Sequence, residues 1–241
     1  DTPLGSRIAE VHNGSSLFTG DAGSGESNAR RYLIERDLVE AVIALPEKMF
    51  YNTGIGTYIW VLSNKKEERR KGKIQLIDAT AMKSTLRKSM GEKNCELTPE
   101  LRSEIMRIFM EMEESSVSRI FDNREFGYWK ITVLQPVVDV DGNPQKDKKG
   151  KYVADKGKTD TDIVPFTYEG GIDAFMENEV LPYAPDAWVD EKKTQIGYEL
   201  SFTKYFYQPV QLRSMEEIVA DLKKLESETD GMLAEILGGV Q

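Results

Sequence analysis

Residues 38–45, Leu-Val-Glu-Ala-Val-Ile-Ala-Leu, form an almost unbroken apolar run that Pro46 stops. A run of this length, rich in β-branched residues, is the pattern of a strand buried on both faces, as in a parallel sheet covered by helices. It therefore demands helices or loops on either side and further strands on either edge. The neighbouring residues supply both. A helix is predicted from about Ser27 to Asp37, with Ser27 or Asn28 able to cap its free N–H groups. After the strand comes the loop Met49-Phe50-Tyr51-Asn52-Thr53-Gly54, then a second apolar strand over Gly56–Leu62. Lys65–Gly72 reads as a solvated charged turn. Lys73–Ile77 reads as a third strand that pairs back on the second, antiparallel because a turn joins them directly.

The segment Ser24–Asp78 thus predicts the back half of a Rossmann-like α/β domain, with a mixed sheet and an antiparallel hairpin at one end. Arg7–His12 adds a short strand, and Asn13-Gly14-Ser15-Ser16 a turn. Lys83–Glu96 is polar and is read as irregular. Thr98-Pro99 opens a helix to about Glu114, with proline at the first helical position. Ile105, Ile108, Phe109 and Met112 fall on one side of it. FGYWKITVL (residues 126–134) is strand-like. Asp139–Asp162 is rich in Lys, Asp and Gly, as in an exposed hairpin or loop. Phe175–Val180 closes a short helix, and Gly197–Tyr207 is aromatic and compact. Ser214 caps a last helix, with Glu217 as its capping-box partner. There Met215, Ile218, Leu222, Leu225, Thr229, Met232 and Ile236 recur at spacings of three and four, a seam about three heptads long. Gly238-Gly239 ends it. The organisation expected is 1–82 as the end of a catalytic domain, followed by a mostly helical extension: 83–213 with a helix and an exposed hairpin, and 214–241 as an amphipathic docking helix. The seam fits either a helix packed on its own domain or one docked on a partner chain.

Composition narrows the chemistry. The 241 residues carry a net charge of −9, whereas a chain that grips nucleic acid alone is usually basic. If this one acts on DNA, most phosphate contacts come from another part of the protein or another subunit. One cysteine, Cys95, excludes an internal disulfide, and one histidine, His12, excludes a multi-histidine metal centre. A Ser-His triad would have to use His12 itself. No apolar run approaches the ~18 residues of a membrane span.

Four motifs invite a chemical reading. Phe18–Gly25 is a Gly-rich stretch between strand and helix that could bring N–H groups to a phosphate or a cofactor, with Glu47 as the acid about 20 residues on. The long polar turn before it and the polar Ser-Asn-Ala-Arg-Arg after it fit a surface loop instead. Phe50, with Asn52 and Thr53, lies just past a buried strand, where α/β enzymes place their sites, and an aromatic there could stack on an extruded base. Its alternative is an ordinary core aromatic. Asp139-Val140-Asp141-Gly142-Asn143 places its glycine too early for a calcium loop and reads as a hairpin turn. The Lys65–Lys73 run could touch phosphate, but its mixed charge fits a solvated turn.

At the quoted residues the chain resembles a known family. The stretch from HNGSSLFTGDAGSGESNARRYLIE to MFYNTGIGTYIWVLSNKK (residues 12–66) is similar to the DNA methylase (M) subunits of type I restriction-modification systems. FGYWKITVLQP, EVLPYAPDAWVDEKKTQIGYELSFTKYFYQP and RSMEEIVADLKKLESETDGMLAEIL look like the carboxy-terminal region of the same subunits, with Gly170–Asp173 a weaker stretch. The resemblance implies methyl transfer from S-adenosylmethionine to adenine N6 in DNA, with the target base flipped. It implies assembly with a specificity (S) subunit, a second M subunit and a restriction (R) subunit, in a bacterial or archaeal cytoplasm. The family's catalytic Asn-Pro-Pro-Phe is not in this sequence, since Asn143-Pro144 is followed by Gln145. Asp21–Gly25 becomes a look-alike of the cofactor loop, which the family places earlier. The chain is then expected to be a carboxy-terminal part, inactive alone. Phe50 falls where adenine methylases stack an aromatic on the flipped base, with Asn52 and Thr53 lining the pocket. Ile218, Leu222, Leu225, Met232 and Ile236 form the subunit interface. Two other functions stay open: a self-contained small-molecule methyltransferase using Gly20–Gly25, and a non-enzymatic scaffold.

Overall fold

The computed structural model describes residues 5–207 and 214–238. The first unit begins with β1 (Arg7–Asn13), a short α1 (Ser15–Phe18) that starts in the expected turn and runs two residues past it, α2 (Gly25–Glu35) and β2 (Val39–Leu45). Every residue of β2 is buried, as its apolar run predicts. β3 (Thr57–Ser63), β4 (Lys73–Asp78), the pair β5 (Ser84–Met90) and β6 (Lys93–Glu96), α3 (Pro99–Glu111) and β7 (Ser118–Asp122) follow. The main sheet has the order β1-β3-β2-β4-β7, so it takes a strand from well past residue 82. β3 runs antiparallel to both β1 and β2, β4 parallel to β2, and β7 antiparallel to β4.

The sheet is therefore mixed, but its hairpin is β2–β3, folded around the Phe50 loop. β4 does not pair with β3; it lies on the far side of β2. The reason is in the charged connection, which is not a free turn. Lys66 and Arg70 are buried. Lys66 Nζ donates to Asp37 Oδ1 at 2.5 Å and to the Lys73 carbonyl at 2.7 Å. Arg70 donates to the Phe109 carbonyl and, at 3.2 Å, to Gln75 Oε1, with its guanidinium over the Phe109 ring. Arg69 donates to the carbonyls of Met110 and Glu111, and Gln75 to that of Ile108. A helix leaves its last carbonyls without intrahelical partners. Here side chains of one connection and one strand satisfy those of α3, and β4 is drawn beneath the helix.

The two faces of β2 alternate between two cores. Val39, Val42 and Ala44 pack with Ile34, Trp60, Ile74, Leu76 and Phe202. Ala41, Ile43 and Leu45 pack with Val61, Ile77, Ile105, Ile108 and Phe109 under α3. α3 begins at Thr98, whose hydroxyl accepts the Leu101 N–H, as read from the sequence. Met112, expected on its apolar line, instead ends the helix in the left-handed conformation, φ 54°. α2 starts two residues earlier than expected: its cap is Ser24, not Ser27 or Asn28. Ser27 Oγ is turned inward, accepting from the Tyr198 N–H. Residues 83–96 are not irregular but form the β5–β6 hairpin, turned at Gly91 with φ 62°.

A second sheet holds β8 (Gly127–Leu134), β9 (Asp160–Pro165), β10 (Trp188–Val189) and β11 (Gln195–Tyr198), with α4 (Gly171–Phe175) between β9 and β10 running into a π-helical turn over Met176–Val180. Residues 139–159 are mostly exposed, as expected of a hairpin or loop. α5 (Phe202–Phe206) closes this unit. The remaining compact unit holds α6 (Met215–Gly238). Its capping box is formed in both directions: the Glu217 N–H donates to Ser214 Oγ at 3.2 Å, and the Ser214 N–H to Glu217 Oε2 at 3.0 Å. Gly239 lies outside the described residues. No described helix is long and apolar enough to cross a membrane.

Candidate functional site

β1, β2 and β4 run in one direction, so their carboxyl ends share an edge of the sheet. Asn13 and Leu45 both stand opposite Thr57, and Asp78 opposite Ala44. The loop from Pro46 to Gly56 leaves this edge. Two residues with positive φ, Lys48 at 57° and Asn52 at 52°, fold it tightly. Phe50 and Thr53 form an antiparallel bridge that closes the tip, and the Thr53 hydroxyl donates to the Tyr51 carbonyl at 3.1 Å. Phe50, Asn52 and Thr53 thus belong to one turn. The turn projects its aromatics: Phe50 is 36% exposed and Tyr51 61%. Phe50 is not the core aromatic that pattern alone allowed.

The β5–β6 hairpin buttresses this turn. The Asn94 N–H donates to the Lys48 carbonyl at 3.0 Å, and Cys95 Sγ to that of Glu47 at 3.2 Å. Tyr51 Oη lies 3.6 Å from Met90 Sδ, and Lys93 Nζ lies over the Tyr51 ring, 5.2 Å from its centroid. Between the turn, β6 and the start of α3 lies a cleft of about 500 Å³, lined by Phe50, Tyr51, Lys93, Glu96 and Arg102 among others. Tyr51, Lys93 and Arg102 were not singled out from the sequence. Lys93 and Arg102 lie more than 40 residues past Phe50, and the β5–β6 hairpin brings back the first and the packing of α3 on the sheet the second; the doubled Phe-Tyr is the one local signal.

The Gly-rich loop is a different object. The N–H groups of Ala22, Gly23 and Ser24 donate to Asp21 Oδ1, the Ile196 carbonyl and the Asp21 carbonyl. Donors already used within the protein are not offered to a cofactor phosphate or carboxylate. These residues therefore do not fit an S-adenosylmethionine cradle. Asp21 also accepts from Lys130; this bond and that of Ala22 hold its carboxyl below the usual carboxylate range. Beneath the loop Arg30 is 3% exposed and ties three carbonyls together, those of Tyr198 (2.6 Å), Thr19 (2.8 Å) and Ser16 (3.3 Å). Burial pulls the pKa of this guanidinium down.

His12 is exposed on β1, 3.5 Å from Glu10. The Asp139 carboxylate accepts the N–H groups of Asn143 and Asp141, so this stretch is the turn its sequence predicts. Among the described residues no group of three or more His, Cys, Asp or Glu is placed to hold a metal. On α6, Ile218, Leu222 and Leu225 are exposed. The side chains of Met232 and Ile236 lie outside the described residues.

Comparison with known proteins gives the setting for this site. The methylase subunit of the type I restriction enzyme MjaIX from Methanocaldococcus jannaschii is 30% identical over 145 residues, 60% of this chain and 24% of that protein. The MjaVII methylase subunit of the same organism is 39% identical over 74 residues, 31% of this chain and 12% of that protein. The HindI methylase subunit of Haemophilus influenzae is 44% identical over 54 residues, 22% of this chain and 12% of that protein. The chain thus spans no more than a quarter of the length of these relatives. Among solved structures, the type I restriction-modification methyltransferase subunit of Streptococcus thermophilus is 23% identical over 50% of this chain and 24% of that one, with a TM-score of 0.42. A structure describing assembly and conformational transition of the type I R-M system covers 98% of this chain and 37% of that one, at 15% identity and the same TM-score. The profile of the family described as N-6 DNA methylase matches residues 3–154, more than half of the sequence, and the chain belongs to that family.

Proposed function

We propose that this chain is the distal part of the catalytic domain and the carboxy-terminal region of a type I modification subunit. The whole subunit would transfer a methyl group from S-adenosylmethionine to adenine N6 in DNA. The observation that carries the reading is the exposed Phe50–Tyr51 turn, which sits at the carboxyl edge of the sheet beside a cationic cleft. Phe50 stacks on the extruded adenine, and Asn52 and Thr53 hold the turn that presents it. Neither the Asn-Pro-Pro-Phe motif nor a fitting cofactor loop is in these 241 residues, so the chain alone is expected to be inactive. The spent donors of the Gly-rich loop count against a self-contained small-molecule methyltransferase.

The test is Phe50→Ala in the full-length subunit. Base–aromatic stacking is worth about 1–3 kcal/mol, so kcat/KM for DNA methylation should fall about 5- to 150-fold with DNA affinity largely kept. Unchanged methylation would sink the role of Phe50. The apolar side of α6 supports a second element: Ile218, Leu222, Leu225, Met232 and Ile236 dock on the S subunit or a neighbouring M subunit, in an assembly that the R subunit joins, in a bacterial or archaeal cytoplasm. Removing residues 214–241 should abolish co-purification with the S subunit; retained assembly would refute the docking role and leave the helix to its own domain.

A further inference from the structure

The chain is acidic overall, yet Lys83, Arg87, Lys88 and Lys93 fall within eleven residues that hold a single carboxylate, Glu92. All four lie on or beside the β5–β6 hairpin, and Lys83, Arg87 and Lys88 are exposed. No described carboxylate forms an ion pair with any of them, in contrast to Lys71, Arg107 and Lys130 elsewhere in the chain. A hairpin that shields a core places apolar residues on one face. This one buries only Cys95, and its polar strands are held to the protein by contacts with the Phe50 turn. Its tip meets that turn: a Cβ on Gly91 would lie 3.3 Å from Asn52 Oδ1. Lys93 and Met90 are cross-strand partners, and both lie against Tyr51. Arg102 adds a further cation across the cleft, opposed there by Glu96.

We infer that the β5–β6 hairpin is a clamp for the DNA backbone, with Arg87, Lys88 and Lys93 contacting phosphates beside the base that Phe50 receives. Two observations carry this: unpaired cations concentrated in an acidic chain, and the contacts of Lys93 and Met90, on the same hairpin as Arg87 and Lys88, with the turn that bears the exposed aromatics. Phosphate contacts of this kind fix register and orientation and carry no sequence information. The hairpin would hold the backbone in place while the target base leaves the stack. The inference rests on the reading that the Phe50 turn faces DNA.

The experiment uses the full-length subunit in its assembled complex, with Arg87→Gln, Lys88→Gln and Lys93→Gln combined. Affinity is measured across a salt series on duplexes with and without the target site. Each lost phosphate contact removes about 0.9 from the slope of log affinity against log salt, so the slope should become shallower by about 2 to 3, equally on both duplexes. An unchanged slope, or a loss confined to the target duplex, overturns the inference. The charge-preserving set Arg87→Lys, Lys88→Arg and Lys93→Arg should keep the parental slope; if it loses the slope too, packing rather than charge is responsible and the clamp is refuted. Phe50→Ala in the same complex, read by methylation rate, separates the two claims. If Phe50→Ala lowers methylation while the hairpin variant keeps its slope, the clamp fails and the base-stacking role stands. If the hairpin variant loses slope while Phe50→Ala methylates normally, the reverse holds.

Discussion

The Gly20–Gly25 loop and the Phe50 loop both have local sequences that look like functional sites, and they use their atoms in opposite ways. The first turns its polar groups inward. The N–H groups of Ala22, Gly23 and Ser24 are spent on Asp21 and Ile196, its acid on Lys130, and Arg30 binds the carbonyls around it. The second closes its tip with the short Phe50–Thr53 bridge, gives the Glu47 and Lys48 carbonyls to the β5–β6 hairpin, and turns two aromatic rings outward. Glycines are as useful for closing a loop against its neighbours as for opening one to a phosphate. Their number does not distinguish the two uses; the destinations of the hydrogen bonds do.

The contrast breaks most readily at Arg30. Arg30→Ala removes a buried cation and leaves three carbonyls without it. A loss of about 3–5 kcal/mol in unfolding free energy is expected, measured by urea titration. A loss below 1 kcal/mol would mean that the first loop is not held as described. Phe50→Ala is the converse case. Its large effect falls on methylation, whereas the exposed ring contributes little to folding, so the same titration should shift by less than about 1 kcal/mol. The smallest effect belongs to Asp21→Asn. The Asp21–Lys130 pair is well exposed on its Asp21 side, so screening limits it to under about 1 kcal/mol. Its sign is fixed. A carboxyl held below its ordinary pKa stabilises the fold above that ordinary value, about 4, and loses the contribution as pH falls through the depressed one. The stability gap between parent and variant should be present at pH 7 and close below about pH 4. A gap independent of pH would assign the effect to packing.

What could be read from the sequence follows the same division. β2 is legible because burial on both faces demands an unbroken apolar run, and its short length, β-branched residues and closing Pro46 separate it from a buried helix. Thr98-Pro99 and Ser214 with Glu217 were legible because caps act over three residues. The position of β4 was not, because it depends on Lys66 and Arg70 being buried, and a charged run ordinarily means solvent. The β5–β6 hairpin is not legible in the sequence because alternation shows only where one face meets a core, and this hairpin leans on a turn instead. At the site, Phe50, Asn52 and Thr53 are neighbours in the chain and could be named together. Lys93 and Arg102 reach the same cleft only through tertiary pairing.

The connection from Asn64 to Gly72 also bears on how the protein tolerates change. By composition it is the place one would choose for an affinity tag, a fusion joint or a natural length variation, since polar loops usually accept them. Here Arg69 and Arg70 close the end of α3 together with Gln75, while Lys66 closes on Asp37. A single inserted residue shifts those side chains out of phase with the helix and the strand together. The segment that looks most replaceable is therefore a spacer of fixed length, and homologous subunits should vary in its composition well before they vary in its residue count.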